Sequence, residues 1–386
     1  MTEPVWITGI GLVSCLGEGP EAHLAALRAP ATEPVVDAAT FAPFPVHPLP
    51  ALNLDRQIPK KGDQRQMEPW QRLGTYAAGL AIDHAGARGL VADMHLVVSA
   101  GGGERDVPLD EAICRELAGL PPGEVGPLLN ERLANGLRPT LFLAQLSNLL
   151  AGNISIVHGV TGSSRTFMGE ESSAADAVRI AAARLAEGRG DMALVGGAYA
   201  AGRWDMLLLY ASSGGLWRGE WAPLAKRAAA GGGMVTGSAA AFLVLETASH
   251  ARARGAHGLA VLDTVRSGAS RRRGGDTARA GALALAGGLP LKPGYAVFSG
   301  ASGVAAPTTE EAGFLADLRD AGPAQGPVRH TADLLGHTVE AAFPANLALA
   351  ALAMDAGLVP QALVTGFGMW RGEALAVLEP IEGASA

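Results

Sequence analysis

Cysteine is scarce in this sequence, with only Cys15 and Cys114 among 386 residues. A disulfide framework is therefore excluded, no Cys/His spacing suits zinc, and neither a metal nor another cofactor is expected. Both thiols read as small buried hydrophobes. Long apolar runs are also missing: none reaches the roughly 18 residues of a membrane helix, and Met1 to Pro4 carries an acid where a signal peptide carries basic charge. A cytoplasmic protein that spans no membrane is expected. Basic charge is sparse, with 30 Lys and Arg against 37 acids, scattered apart from Arg271, Arg272 and Arg273, so nucleic acid is not an expected partner. What remains is 48% hydrophobic, enough for a large core, and its 52 glycines and 24 prolines follow no short period, which points to tight turns rather than disorder.

Short β-branched runs bounded by glycine predict strands at 5–13, 95–99, 154–158, 192–199, 240–246, 259–265, 295–299, 362–366 and 374–379. Ala-, Leu- and Arg-rich stretches predict helices over 71–85, 140–150, 172–187, 310–321 and 341–356. Their alternation implies an α/β fold with a mostly parallel sheet covered on both faces.

Two segments recur. Ala193-Leu-Val-Gly-Gly returns as Ala362-Leu-Val-Thr-Gly, and Ala241-Phe-Leu-Val-Leu-Glu as Ala374-Leu-Ala-Val-Leu-Glu. The first pair lies 169 positions apart and the second 133, which leaves about 36 extra residues, 202–237, inserted in the first copy. Two fused halves near 1–255 and 256–386 are expected.

Such a duplicated fold suggests acyl transfer, with a nucleophile on a strand-to-helix turn where a helix N-terminus activates it. Gly159 to Val178, GVTGSSRTFMGEESSAADAV, reads as that turn, leading into a helix near Ser172. The chain resembles the β-ketoacyl-acyl-carrier-protein synthases of the thiolase superfamily. Val5 to Gly17, His158 to Val178, Ala222 to Ala256, Gly336-His337 with Thr338 to Ala342, and Gly366-Phe367-Gly368 carry the resemblance in family order across nearly the whole chain. It implies a thiolase-like fold of two duplicated α/β halves layered α-β-α-β-α.

The resemblance also implies which positions should hold the chemistry, and most are altered. Condensation in the family needs a cysteine thiolate to take the acyl chain and two histidines to stabilise the developing enolate and oxyanion. The cysteine's place falls on Glu171, an unsuitable acyl acceptor, and the first histidine's place on Ser302, which supplies no positive charge. The lysine before the Gly-His motif becomes Ala332 and the glutamate after it Asn346; only His337 survives. Glu171 reads either as a solvent-facing or capping acid, with Glu170 an equal candidate for the cap, or as the occupant of a closed pseudo-active site paired with His337. His337 itself reads as that partner or as a leftover core histidine, Phe367 as a gate or as core packing, and His330 as a loop residue or one reaching the pocket.

Loss of Cys, His and Lys on a retained scaffold resembles the chain-length-factor subunits of type II polyketide synthases. That implies a heterodimer with a cysteine-bearing ketosynthase, an acyl carrier protein delivering to the complex, and a tunnel wall that limits chain length by sterics. The aromatic-polyketide factors usually carry glutamine at the cysteine position, so the glutamate here is nearer to factors for polyene or reduced acyl chains. The leucines of 106–140 and Cys114 are tunnel candidates, and Arg271 to Arg273 reads as a carrier-docking patch or a solvated loop. Two other functions stay open: decarboxylation of malonyl-carrier protein to make a primer, and a homodimeric acyl-binding scaffold.

Overall fold

A computed structural model describes residues 3–29, 32–272 and 277–381. Its principal strands are β1 (Val5–Ser14), β2 (His95–Ala100), β3 (Ser164–Phe167), β4 (Met192–Tyr199), β5 (Ala239–Thr247), β6 (Ala260–Gly268), β7 (Tyr295–Ser299), β8 (Gln325–His330), β9 (Ala362–Phe367) and β10 (Glu373–Glu379). They form one sheet in the order β8-β7-β9-β10-β6-β1-β5-β4-β2-β3. The sheet is mixed, which corrects the mostly parallel expectation: β3, β2 and β4 run parallel, and β4 to β5 and β5 to β1 are antiparallel. The same sequence of pairings repeats in β8, β7, β9, β10 and β6. The recurring pairs of the sequence thus occupy equivalent strands, β4 with β9 and β5 with β10. Among the described residues, the strand pairs Trp6 with Val261 and Ile7 with Ala260 join the two sets.

Around the sheet lie α1 (Pro69–His84), α2 (Val107–Leu117), α3 (Pro122–Gly136), α4 (Leu149–His158), α5 (Glu170–Ala186), α6 (Trp204–Ser212), α7 (Ala278–Ala286), α8 (Ala305–Ala321) and α9 (Ala342–Asp355). Three apolar clusters give the layers. Ala174, Val178 and Leu185 of α5 and Leu347 to Ala353 of α9 fill the space between the inner faces of both strand sets. Trp70, Tyr76 and Ile82 of α1, with Leu150 and Ile154 of α4, cover one outer face. Ala278, Ala282 and Phe314 of α7 and α8 cover the other. The result is helix, sheet, helix, sheet, helix, because strands buried on both faces need a covering layer on each. Among the described residues no helix is long and apolar enough to cross a membrane.

Several local expectations change. Residues 154–158 are the end of α4, not a strand: the β-branched Ile154, Ile156 and Val157 suggest extension, but packing on α1 wins and Gly159, at φ 76°, caps the helix. The strand at this place is β3, which is polar and half exposed at the sheet edge and so carries no buried-strand pattern. Residues 140–150 break into Leu141–Ala144 and the start of α4. Cys15 is buried, but Cys114 is exposed on α2. Residues 202–237 hold α6 and the short helix Leu224–Ala229.

Candidate functional site

The site is built at the start of α5 and the turn before α9. Gly169 caps α5 without a side-chain bond, and Glu170 is held at φ 52°, the left-handed region that costs a side chain energy. Neither glutamate is the cap: Glu170 stands 3.7 Å from the Arg371 guanidinium, and Ser172 and Ser173 hydroxyls donate to the Gly169 and Glu170 carbonyls at 2.8 and 2.7 Å. The helix therefore begins two residues earlier than the expected Ser172. This turn directs Glu171 inward, where it is 8% exposed.

His337 meets it there. Its Nε2 donates to Glu171 Oε1 across 2.7 Å, and the Met369 amide adds a longer contact of 3.4 Å. Burial alone would push the Glu171 carboxyl up, but the His337 hydrogen bond and charge, with the amides of Glu171 and Met369, outweigh it and hold the group below its ordinary value. The His337 backbone is fixed from both sides, its amide donating to Val235 O and its carbonyl accepting from Gly237. Gly368 closes the pair: a Cβ there would fall 2.1 Å from Arg371 O and 3.3 Å from Glu171 Oε2, so the Gly-Phe-Gly turn tolerates no side chain at its end.

The other altered positions are partly gathered. Ala332, His337 and Asn346 line one cavity of only about 10 Å³, at the limit for a single water and too small for an acyl thioester. Asn346 accepts from Thr331 Oγ1 at 2.6 Å and donates to Ser299 O. Ser302 is buried but faces away, its hydroxyl accepting from the Val304 amide in a local turn. His330 ends β8, rather than lying on a loop, and its Nδ1 is 3.2 Å from Ser299 Oγ. The Phe367 ring packs on Phe314, centroids 5.8 Å apart, in the outer cluster and lines neither this cavity nor the larger one described below. Arg272 is engaged internally, donating to Gly368 O and the Glu373 carboxylate, and Arg273 lies outside the described residues.

Three groups escaped the sequence reading. Arg227 is fully buried behind Gly303, donating from Nε to Ala222 O, with Asp333 3.7 Å away. Glu340 and Tyr199 are buried beside Glu171. Glu340 sits among apolar neighbours in 336–343, where the only sign was a lone acid after the Gly-His pair.

The hairpin α2–α3 has an unusual surface. Ile113 is its only buried side chain, while Leu109, Leu117, Leu128 and Leu133 stay half exposed. A cavity of about 550 Å³ lies between Leu133, Leu137, Arg138 and Phe142, and one of about 520 Å³ between Cys114, Trp204 and Leu208. Phe142, Ile156, Met168 and Leu208 are more than half exposed. Among the described residues the edge of β3 carries no further strand.

Residues 2–251 match the family of the β-ketoacyl synthase N-terminal domain. No curated protein matches the sequence. Among solved structures, the ishigamide ketosynthase/chain length factor superposes with a TM-score of 0.79 at 21% identity, covering 99% of this chain and all of the other. A β-ketoacyl synthase from Burkholderia phymatum gives 0.78 at 18%, covering 98% of this chain and all of that one. A type II polyketide synthase complex, an acyl-carrier protein with its ketosynthase bound to the hexaketide, gives 0.75 at 17%, with 99% and 100% covered.

Proposed function

The chain belongs to the β-ketoacyl synthase family, and we propose that Glu171 stands where condensing members carry their cysteine and that the chain is therefore a non-condensing, chain-length-factor type subunit. In this reading it pairs in the cytoplasm with a cysteine-bearing ketosynthase, receives chains that an acyl carrier protein brings to the complex, and shapes the tunnel for a growing polyketide, polyene or fatty acyl chain. The halves 1–255 and 256–386 are read as the products of a duplication.

The observation that carries the reading is the closed Glu171–His337 pair beside a cavity of about 10 Å³. A carboxylate bonded to imidazole is neither a thiolate nor free to attack, and the small cavity that His337 lines has no room for an acyl thioester. The apolar, largely unburied α2–α3 hairpin and the open β3 edge support a partner and an acyl chain, since a chain folding alone gains little from leaving such groups to water.

The test is reconstitution with the ketosynthase encoded nearest to it, followed by product analysis with Leu109→Trp and Leu133→Trp. Shorter products are expected from a wall moved inward. Unchanged product length across the series contradicts the tunnel role. Malonyl-carrier decarboxylation by this chain alone, abolished in Glu171→Ala, would instead make it a priming enzyme.

A further inference from the structure

Beside the Glu171 pair lies a second cavity of about 200 Å³. Its exposed lining is apolar: Met168, Leu209 and Trp370. Its buried lining is mostly apolar as well, but it holds the Glu340 carboxyl and the Tyr199 hydroxyl. Glu340, 5% exposed, presses its carboxyl against Gly101, where a Cβ would lie 2.7 Å from Oε1, and among the described residues no other side chain bonds to it. The Tyr199 hydroxyl is buried with no hydrogen-bond partner. Arg203 also lines the cavity, but its guanidinium is already taken by Asp205 at 2.6 Å and by Gly103 O.

A buried hydroxyl without a partner, beside a buried carboxyl that no side chain bonds, is costly unless a ligand completes it. We propose that this cavity binds the oxygenated end of an acyl chain, with the Glu340 carboxyl and the Tyr199 hydroxyl donating to a carbonyl or hydroxyl oxygen and the exposed apolar side chains holding the hydrocarbon. This rests on the reading of the chain as an acyl-tunnel subunit and names the class of chain it takes.

The protonation states agree. Burial, and then the nearby Glu171 and Glu170 carboxylates, push Glu340 up to about 7 against the hydrogen bond from its own amide and the opposing Arg203, so near neutral pH much of it keeps the proton it would donate. Burial pushes the Tyr199 hydroxyl far above its ordinary value, and it stays a donor. The same carboxylates oppose an anionic ligand, and the paired Arg203 offers no free charge to attract one. A saturated chain end would leave both donors unpaired, and sites built around a substrate oxygen reject analogues that lack it.

The test compares N-acetylcysteamine thioesters of 7-oxooctanoate and octanoate, read by tryptophan fluorescence because Trp70 and Trp370 line the cavity. Binding is measured on the complex with the ketosynthase for wild type, Glu340→Leu and Glu340→Gln, so that differences among the three isolate this cavity from the partner's own site. The oxo chain is expected to bind about tenfold or more tightly in wild type and in Glu340→Gln, which keeps a donor, and the preference is expected to vanish in Glu340→Leu. Tyr199→Phe, with a preference lowered several-fold, replaces Glu340→Leu should that variant not assemble. Equal binding of the two thioesters by wild type, or one ratio in all variants, overturns the inference. If the complex forms and the thioesters bind alike, only the polar site falls; if the oxo preference holds on this chain without a complex, only the partnership falls.

Discussion

Glu171, 8% exposed, accepts a 2.7 Å hydrogen bond from His337, which is 3% exposed and lies 166 positions away in the chain. Removing one member of a buried pair leaves the other without a partner. Glu171→Ala is expected to destabilise the fold by about 3 kcal/mol, measured by urea unfolding, whereas Glu171→Gln, which keeps an acceptor, costs about 1 kcal/mol. Equal losses for the two would mean that the pair is incidental.

The same pair sets the acid response. A carboxyl held below its ordinary 4.5 in the fold contributes stability that is present above that pH and is lost as pH falls through the lower folded value. Melting temperature followed from pH 6 to pH 3 should therefore fall less steeply in Glu171→Gln than in wild type.

Glu340 acts in the opposite sense. Its value is raised from 4.5 to about 7, so the folded state holds the proton where the unfolded chain has released it. Stability is expected to decline from about pH 4.5 to about pH 7 and then level, by on the order of 1–3 kcal/mol. Glu340→Gln should flatten that part of the curve; a curve unchanged by the substitution would remove Glu340 as its source.

Phe367 packs rather than gates. Its ring is 1% exposed and lies against Phe314, so Phe367→Ala is expected to cost about 3 kcal/mol in unfolding. Product length in the reconstituted complex should stay the same; longer or scrambled products would restore the gate reading.

Much of the architecture was legible because strands buried on both faces write themselves as short apolar runs. β4, β7 and the recurrence of β4–β5 in β9–β10 are visible directly, and the repeat follows from the same pairing order being used twice. β3 was hidden because an edge strand needs no apolar face, and the end of α4 misled because β-branched residues in a buried helix look like a strand. At the site, Glu171 and His337 were legible through their places in two motifs. Glu340 and Tyr199 were not, since a single acid or tyrosine acquires meaning only when the turn at Val339, φ 42°, brings distant segments together. The hydroxyl of Ser302, the residue expected at the first histidine's place, turns to its own backbone.

The decisive measurement is co-expression with the neighbouring ketosynthase, native mass spectrometry of the product, and malonyl-carrier-protein condensation assayed with the partner's cysteine or Glu171 substituted in turn. A one-to-one complex that loses condensation with the partner's cysteine but keeps it in Glu171→Gln is the expected result. A homodimer of this chain whose turnover disappears in Glu171→Gln would contradict it.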